Sequence, residues 1–228
     1  FHKRVDGLIA SLAFDTKDLD HYEVYKEKGI PVIFFDRVEE KGESTKVIID
    51  NYKCGFQATK HLIEQGCKRI VLVTASLKRN VYAQRHKGYA DALADSGIQY
   101  DKDRVLIKDL SEQCGVEAAL QILKMKPVPD GAFITNDFSA AVCMRTLREN
   151  GIRVPEDIAI VGFNNDAISK LVEPQMTTID YPGIDVGEIT ARNLINHLKG
   201  LSDIKHTNTI VVRSDLVIRK SSVRKSKK

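Results

Sequence analysis

Three apolar runs in this chain stop on polar side chains that could recognise a ligand. Phe35 is followed by Asp36-Arg37, Ile134 by Thr135 and the pair Asn136-Asp137, and Phe163 by the cluster Asn164-Asn165-Asp166. Short apolar runs bounded by turn residues read as buried strands. Each polar group then lies at the C-terminal end of a strand, the edge where open parallel sheets bind ligands. A fourth candidate is Arg85, which shares one helical face with Gly88, Tyr89 and Ala92. A guanidinium on a buried stripe is costly unless paired. Two readings stand for it. It forks onto hydroxyl or carboxylate groups of a ligand, or it forms a structural pair with a carboxylate such as Asp137. Amides, a carboxylate and an arginine together suit recognition of hydroxyls better than bond breaking.

Other chemistry lacks its motifs. No GxGxxG follows a strand and no GxxxxGK[ST] occurs, so nucleotide phosphates have no evident cradle. There is no GxSxG elbow and no HExxH. The six histidines are scattered, none paired with Cys or a carboxylate at metal-ligand spacing. Asp36 and Asp137 could hold Mg²⁺ only as lone carboxylates among amides and an arginine. No metal and no cofactor is expected.

The elements that must position these residues alternate. Apolar runs at Val5–Ala10, Val32–Phe35, Val47–Ile49, Ile70–Val73, Val105–Ile107, Ala132–Ile134 and Ile158–Phe163 read as strands. Between them fall helical patterns: Leu19, Tyr22 and Tyr25; Cys54, Ala58 and Leu62; Val116, Ala119, Leu120 and Leu123; Ala140, Cys143, Met144 and Leu147. Gly66 and Gly151 close two of these helices as left-handed caps. A long amphipathic helix with Ile184, Gly187, Ala191, Leu194, Ile195 and Leu198 on its face follows, and then two short strands. Alternation of this kind predicts an α/β protein with doubly wound parallel sheets, and more than one of them.

The 228 residues are 43% hydrophobic, enough for a substantial core, and no apolar run is long enough to span a membrane. The opening FHKRVDGLIAS is too short and too interrupted for a signal peptide. Cys54, Cys67, Cys114 and Cys143 form no CxxC pair and read as reduced packing thiols of a cytoplasmic protein. A net charge of +4 gives no argument for nucleic-acid binding by this stretch. Residues 222–228 are basic, small and polar, and read as a disordered tail.

Four stretches resemble the LacI/GalR family of transcriptional regulators: RVDGLIAS with GIPVIFFDR; IDNYKCGFQATKHLIEQGCKRIVLVTA; the R-x-x-G-Y-x-x-A-L pattern from Arg85 to Leu93; and AFITND…ENGIRVPEDIAIVGFNN…EPQMTTID, followed by IDVGEITARNLI and DLVIRKSS. The resemblance implies the effector-binding core of such a regulator, with the type I periplasmic-binding-protein fold. Two α/β lobes would be joined by crossovers near Ser76, Asp180 and Arg213, with the ligand between them. One lobe would be residues 1–76 plus 181–212, the other 77–180 plus 213–221. The family's helix-turn-helix and the first strand–helix–strand of its N-terminal lobe are not matched here.

The resemblance also implies site residues where motifs align. Arg85 matches the family arginine that bonds the effector, Asn136 and Asp137 match its ND pair, and Asp36 matches a strand end of the N-terminal lobe. Asn164 stands where most members carry Asp, and Leu110 where several place a stacking aromatic. The implied function is a homodimeric, non-enzymatic sensor, with no membrane contact. A small metabolite of the sugar class would bind it and control operator binding by the helix-turn-helix. The competing readings are an exported sugar-binding receptor of the ribose-binding type, and a sugar-processing α/β enzyme with Asp36 or Asp137 as base.

Overall fold

The computed structural model describes residues 5–39, 44–206 and 208–224. In chain order the elements begin β1 (Leu8–Ala10), α1 (Asp20–Glu27), β2 (Val32–Phe35), β3 (Lys46–Ile49), α2 (Asn51–Glu64) and β4 (Ile70–Thr74). They continue with α3 (Asn80–Asp95), β5 (Val105–Ile107), α4 (Glu112–Lys124), β6 (Gly131–Ile134), α5 (Asp137–Glu149) and β7 (Ala159–Asn164). The last are α6 (Ala167–Leu171), β8 (Thr177–Asp180), α7 (Gly183–Leu198), β9 (Thr209–Val212) and β10 (Leu216–Val217). The alternation expected from the apolar runs is unbroken from β3 to α7.

The chain divides into two compact units. The first takes the described parts of Phe1–Asp50, Arg79–Val81 and Pro182–Arg213; the second takes Asn51–Lys78, Tyr82–Tyr181 and the described part of Ser214–Lys228. This corrects the expected partition. Residues 51–76 belong with the second unit, because β4 pairs in parallel with β5 on one side and β6 on the other. Helix α2 packs on the same sheet, against β6, β7 and β8.

The first unit holds a four-stranded parallel sheet in the order β1-β2-β3-β9. Leu12, Val32, Phe34 and Val38 form a small core under Leu19, Tyr22 and Tyr25 of the α1 region. Two expectations fail here. The strand expected at Val5–Ala10 is only Leu8–Ala10, with Ile9 exposed, because β1 is an edge strand. On α7 the buried stripe is Val186, Thr190 and Leu194, whereas Ile184, Ile195 and Leu198 are exposed. Of the expected stripe only Leu194 is buried, so the packed face is rotated from the one that periodicity selected.

The second unit is a six-stranded sheet, β10-β8-β7-β6-β4-β5, parallel except for β10 against β8. Every residue of β4 and β6 is buried, as strands with helices on both faces must be. Helix α5 buries Ala140, Cys143, Met144 and Leu147 as its spacing requires. On α4 the inner stripe is instead Gly115, Ala118, Ala119 and Ile122, with Leu120 exposed. A Cβ on Gly115 would lie 2.7 Å from the Ser139 carbonyl, so α5 presses against the small-residue side. All four cysteines are free and buried.

The expected tail is partly ordered. Ser221 Oγ donates to Ile160 O at 2.6 Å, and Ser222 Oγ lies 2.7 Å from His61 Nε2 and 2.6 Å from Thr177 Oγ1. Burial lowers the pKa of His61, with Glu64 opposing. Arg224 Nε donates to Pro155 O at 2.9 Å. Residues 225–228 lie outside the described residues.

Helices α2 and α3 cross with their backbones in contact. A Cβ on Gly88 would sit 2.2 Å from Tyr52 O, and one on Gly55 would sit 2.2 Å from Arg85 O. Only hydrogen fits at either position. Gly88→Ala gains about 1 kcal/mol of helix propensity, but it forces the helices apart. The expected net loss is about 2 kcal/mol. Thermal unfolding should show this as a Tm lower by about 4–8 °C; an unchanged Tm would disprove the crossing.

Candidate functional site

The polar groups singled out in the sequence gather at the C-terminal edge of each parallel sheet. In the second unit the close crossing of α2 and α3 puts Arg85 one turn from Gly88 and opposite Asn51 at the start of α2. Arg85 is 5% exposed. Its Nε donates to Asn51 Oδ1 at 2.8 Å and its Nη1 to Thr135 O at 3.4 Å. The guanidinium carbon lies 3.4 Å from the centroid of the Phe163 ring and 5.4 Å from that of Tyr82. The pairing suggested with Asp137 is therefore replaced by an amide, a carbonyl and two aromatic faces. Stacking on an aromatic ring suits a planar, weakly hydrated cation. Asn51, Tyr82 and Phe163 are parts of this arrangement that periodicity did not single out, because they lie on three different elements.

Asn136 is the N-cap of α5. Its Oδ1 accepts from Ser139 N at 3.0 Å, which leaves Nδ2 outside the cap. Its neighbour Asp137 has no exposed surface. Asp137 Oδ1 accepts from Thr178 Oγ1 at 2.7 Å and Oδ2 accepts from Asp166 N at 2.8 Å. The carboxylate lies against β7, since a Cβ at Gly162 would be 2.2 Å from Oδ1. Asp137 thus ties α5 to β8 and to the turn after β7 from below the edge. Burial raises its pKa to about 6, and the hydrogen bonds from Thr178 and Asp166 limit the rise.

That turn is strained. Asn164 has φ 119° and Asn165 φ 58°. Leu110, in the loop after β5, has φ 61°. Left-handed backbone costs a residue with a Cβ roughly 1–2 kcal/mol. Leu110 O accepts from Ser139 Oγ, and its side chain packs partly buried against the core. Asn164 Nδ2 donates to Asp166 Oδ2 at 3.2 Å.

The first unit repeats the pattern at the end of β2. Asp36 has φ 57° and lies 3.7 Å from Arg37 Nη1. Asn80 braces this turn, donating from Nδ2 to Asp36 O at 3.3 Å and accepting Val38 N on Oδ1 at 3.0 Å. Among the described residues no group of three or more His, Cys, Asp or Glu could hold a metal ion.

The Asp137 arrangement sets a sign for pH dependence. Its folded pKa, about 6, lies above the ordinary 3.8. The native state therefore holds this proton more tightly than the unfolded chain. The contribution is fully present below pH ~4 and is lost as pH rises through ~6. Asn in its place can accept Asp166 N on Oδ1 and donate to Thr178 Oγ1. Denaturant unfolding across pH 4 to 7 should show a fall in wild-type stability, relative to Asp137→Asn, on the order of 2 kcal/mol. Parallel curves would remove the assignment.

The periplasmic binding protein-like domain family matches residues 59–222. The HTH-type transcriptional regulator CelR of Thermobifida fusca is 30% identical over 96% of this chain and 67% of its own length. A solved complex of the transcriptional regulator CelR with cellobiose superposes with a TM-score of 0.85 at 31% identity, covering 95% of this chain and 66% of that one. A LacI family transcriptional regulator from Enterococcus faecium with bound ribose gives 0.83 at 27% identity, over 96% of this chain and 80% of that one. The chain spans about two thirds of the length of the first two. The chain belongs to the periplasmic binding protein-like domain family, and what it carries is the effector-binding core of the LacI/GalR transcriptional regulators.

Proposed function

We propose that this core senses a sugar or sugar derivative without turning it over, and that the bound state controls operator DNA through the helix-turn-helix part that its relatives' names record. One observation carries the reading. Among the described residues the non-glycine positions with positive φ are Asp36, Leu110, Asn164 and Asn165. Asp36 directly follows β2, Asn164 and Asn165 lie at the end of β7, and Leu110 lies in the loop that follows β5. Strain of this kind persists only where the surroundings enforce it, and it clusters where ligands are held.

The residue types name the ligand class. The amides of Asn136 and Asn164 both donate and accept, as hydroxyl groups require. Arg85 adds a charged donor and Leu110 gives apolar contact. Relatives with bound cellobiose and ribose support the same class. The enzyme reading loses one of its two candidate bases, since both oxygens of Asp137 already accept hydrogen bonds and neither reaches the surface. A ligand acts by binding two conformations unequally, and the coupling to DNA is that difference. We place the protein in the cytoplasm, where its four free cysteines stay reduced.

We further propose a homodimer through α5 and α6. Phe138 and Leu171 are exposed there, beside a groove of about 670 Å³ that Val142, Met144, Ile168 and Val172 help to line. Leu171→Asp should lower the mass measured by sedimentation equilibrium to that of one chain. A wild-type protein already sedimenting as one chain would refute the dimer.

The sensor reading is tested by thermal unfolding across a panel of sugars, sugar acids and sugar phosphates. A ligand at a hundred times its Kd should add about 2.7 kcal/mol. Its recovery unchanged after long incubation is expected, and turnover would restore the enzyme reading. No shift with any compound would count against the sugar class. Arg85→Ala should weaken the ligand found by about 2 kcal/mol, or about thirtyfold; an unchanged Kd would remove Arg85 from the site.

A further inference from the structure

We propose that Arg219, in the segment after β10, is a positioning residue for ligand recognition: it fixes the turn that presents Asn164 without itself meeting the ligand. This rests on the reading of the strand-end edge as the ligand site.

The turn is held at each of its residues. Asn164 O accepts from Tyr181 N at 3.2 Å. Asn165 N donates to Thr178 Oγ1 at 3.3 Å, and Asp166 N donates to Asp137 Oδ2 at 2.8 Å. The side chain of Asn165 is fixed at both ends, with Oδ1 accepting from Arg219 Nη2 at 2.6 Å and Nδ2 donating to Asp180 Oδ1 at 2.7 Å. Asn tolerates the left-handed region because its short side chain can bond nearby groups. Here those bonds come from outside the turn.

Arg219 is itself fixed. Its Nη1 donates to Met176 O at 2.8 Å and to Ser169 Oγ at 3.2 Å, and its backbone N donates to Thr177 Oγ1 at 2.8 Å. One guanidinium therefore joins the loop before β8, helix α6 and the β7 turn. Its fork reaches all three because the donors point in fixed directions. Without the Nη2 donor, Asn165 Oδ1 loses a charge-assisted bond, and the left-handed backbone at φ 58° is held only by the remaining ties to Thr178 and Asp180. Asn164, one residue earlier, then loses its orientation.

The variant Arg219→Met keeps the length of the side chain and removes its donors. Amide exchange at Asp166 and Tyr181 is followed in ligand-free protein, beside equilibrium binding of the panel sugar that gives the largest thermal shift. We expect faster exchange at both amides, unchanged protection in β4 and β6, and a Kd weakened about tenfold. Gly takes positive φ without strain. In an Asn165→Gly background, Arg219→Met should therefore change the Kd by about twofold or less. An unchanged Kd in the single variant, or unchanged exchange at the two amides, overturns the inference while wild-type binding leaves the sensor reading standing. If wild type binds no sugar, the sensor reading fails, and faster exchange then makes Arg219 only a brace of the fold, which overturns the inference as well.

Discussion

A guanidinium taken out of water must find partners that replace its hydration, and much of the second unit follows from meeting that demand at Arg85. The residue is 5% exposed and stands at the end of a parallel sheet. It finds an amide oxygen on α2, a carbonyl after β6 and the face of Phe163 on β7. Those three groups converge only if α2 and α3 approach more closely than side chains allow. Gly55 and Gly88 provide that approach, with hydrogen where a methyl would overlap a carbonyl. An Arg–Asp pair would have answered the same demand with a second buried charge and its desolvation cost. Arg85 instead meets an amide, a carbonyl and aromatic faces, and both oxygens of Asp137 are engaged elsewhere.

Asp137 is a tie below the edge. Its two oxygens take one hydrogen bond from β8 and one from the turn after β7. Burial disfavours its ionised form, and the two donors partly offset this. The strained turns at the strand ends depend on ties of this sort. Ser139 holds Leu110, Asn80 holds Asp36, and Asp137 holds Asp166. Each bond joins groups well apart in the chain, so local strain is maintained by tertiary contacts and not by the turn's own sequence.

This explains which parts were legible in the sequence. Strands β6 and β7 and the buried faces of α2, α3 and α5 could be read, because an apolar run or a single apolar stripe leaves one option. The unit boundary could not. Ile70–Thr74 looks the same in either sheet, and its membership is decided by pairing with Val105 and Gly131 onward. On helices α4 and α7 packing turns inward a face rotated from the one that periodicity selects. Residues 222–224 look like a polar tail, yet hydroxyls and a guanidinium there satisfy groups inside the second unit. For the site, the strand-end positions were visible because apolar runs point to them. Asn51, Thr178, Asn80 and Arg219 were not, since their importance lies in partners such as Asn165, 54 positions from Arg219.

The side chains at the edge are set by their neighbours. The amide of Asn164 donates from Nδ2 to Asp166 Oδ2 at 3.2 Å, which an ionised carboxylate at this position could not do. The same amide keeps an acceptor for an incoming hydroxyl. Leu110 obeys a related limit. Its left-handed backbone and its packing against the core leave an aliphatic side chain with little freedom, so it offers a fixed apolar surface at a known place. On the proposed reading, recognition by this edge rests on amide donors and acceptors held in place by tertiary bonds, with Arg85 as a buried cation beside them.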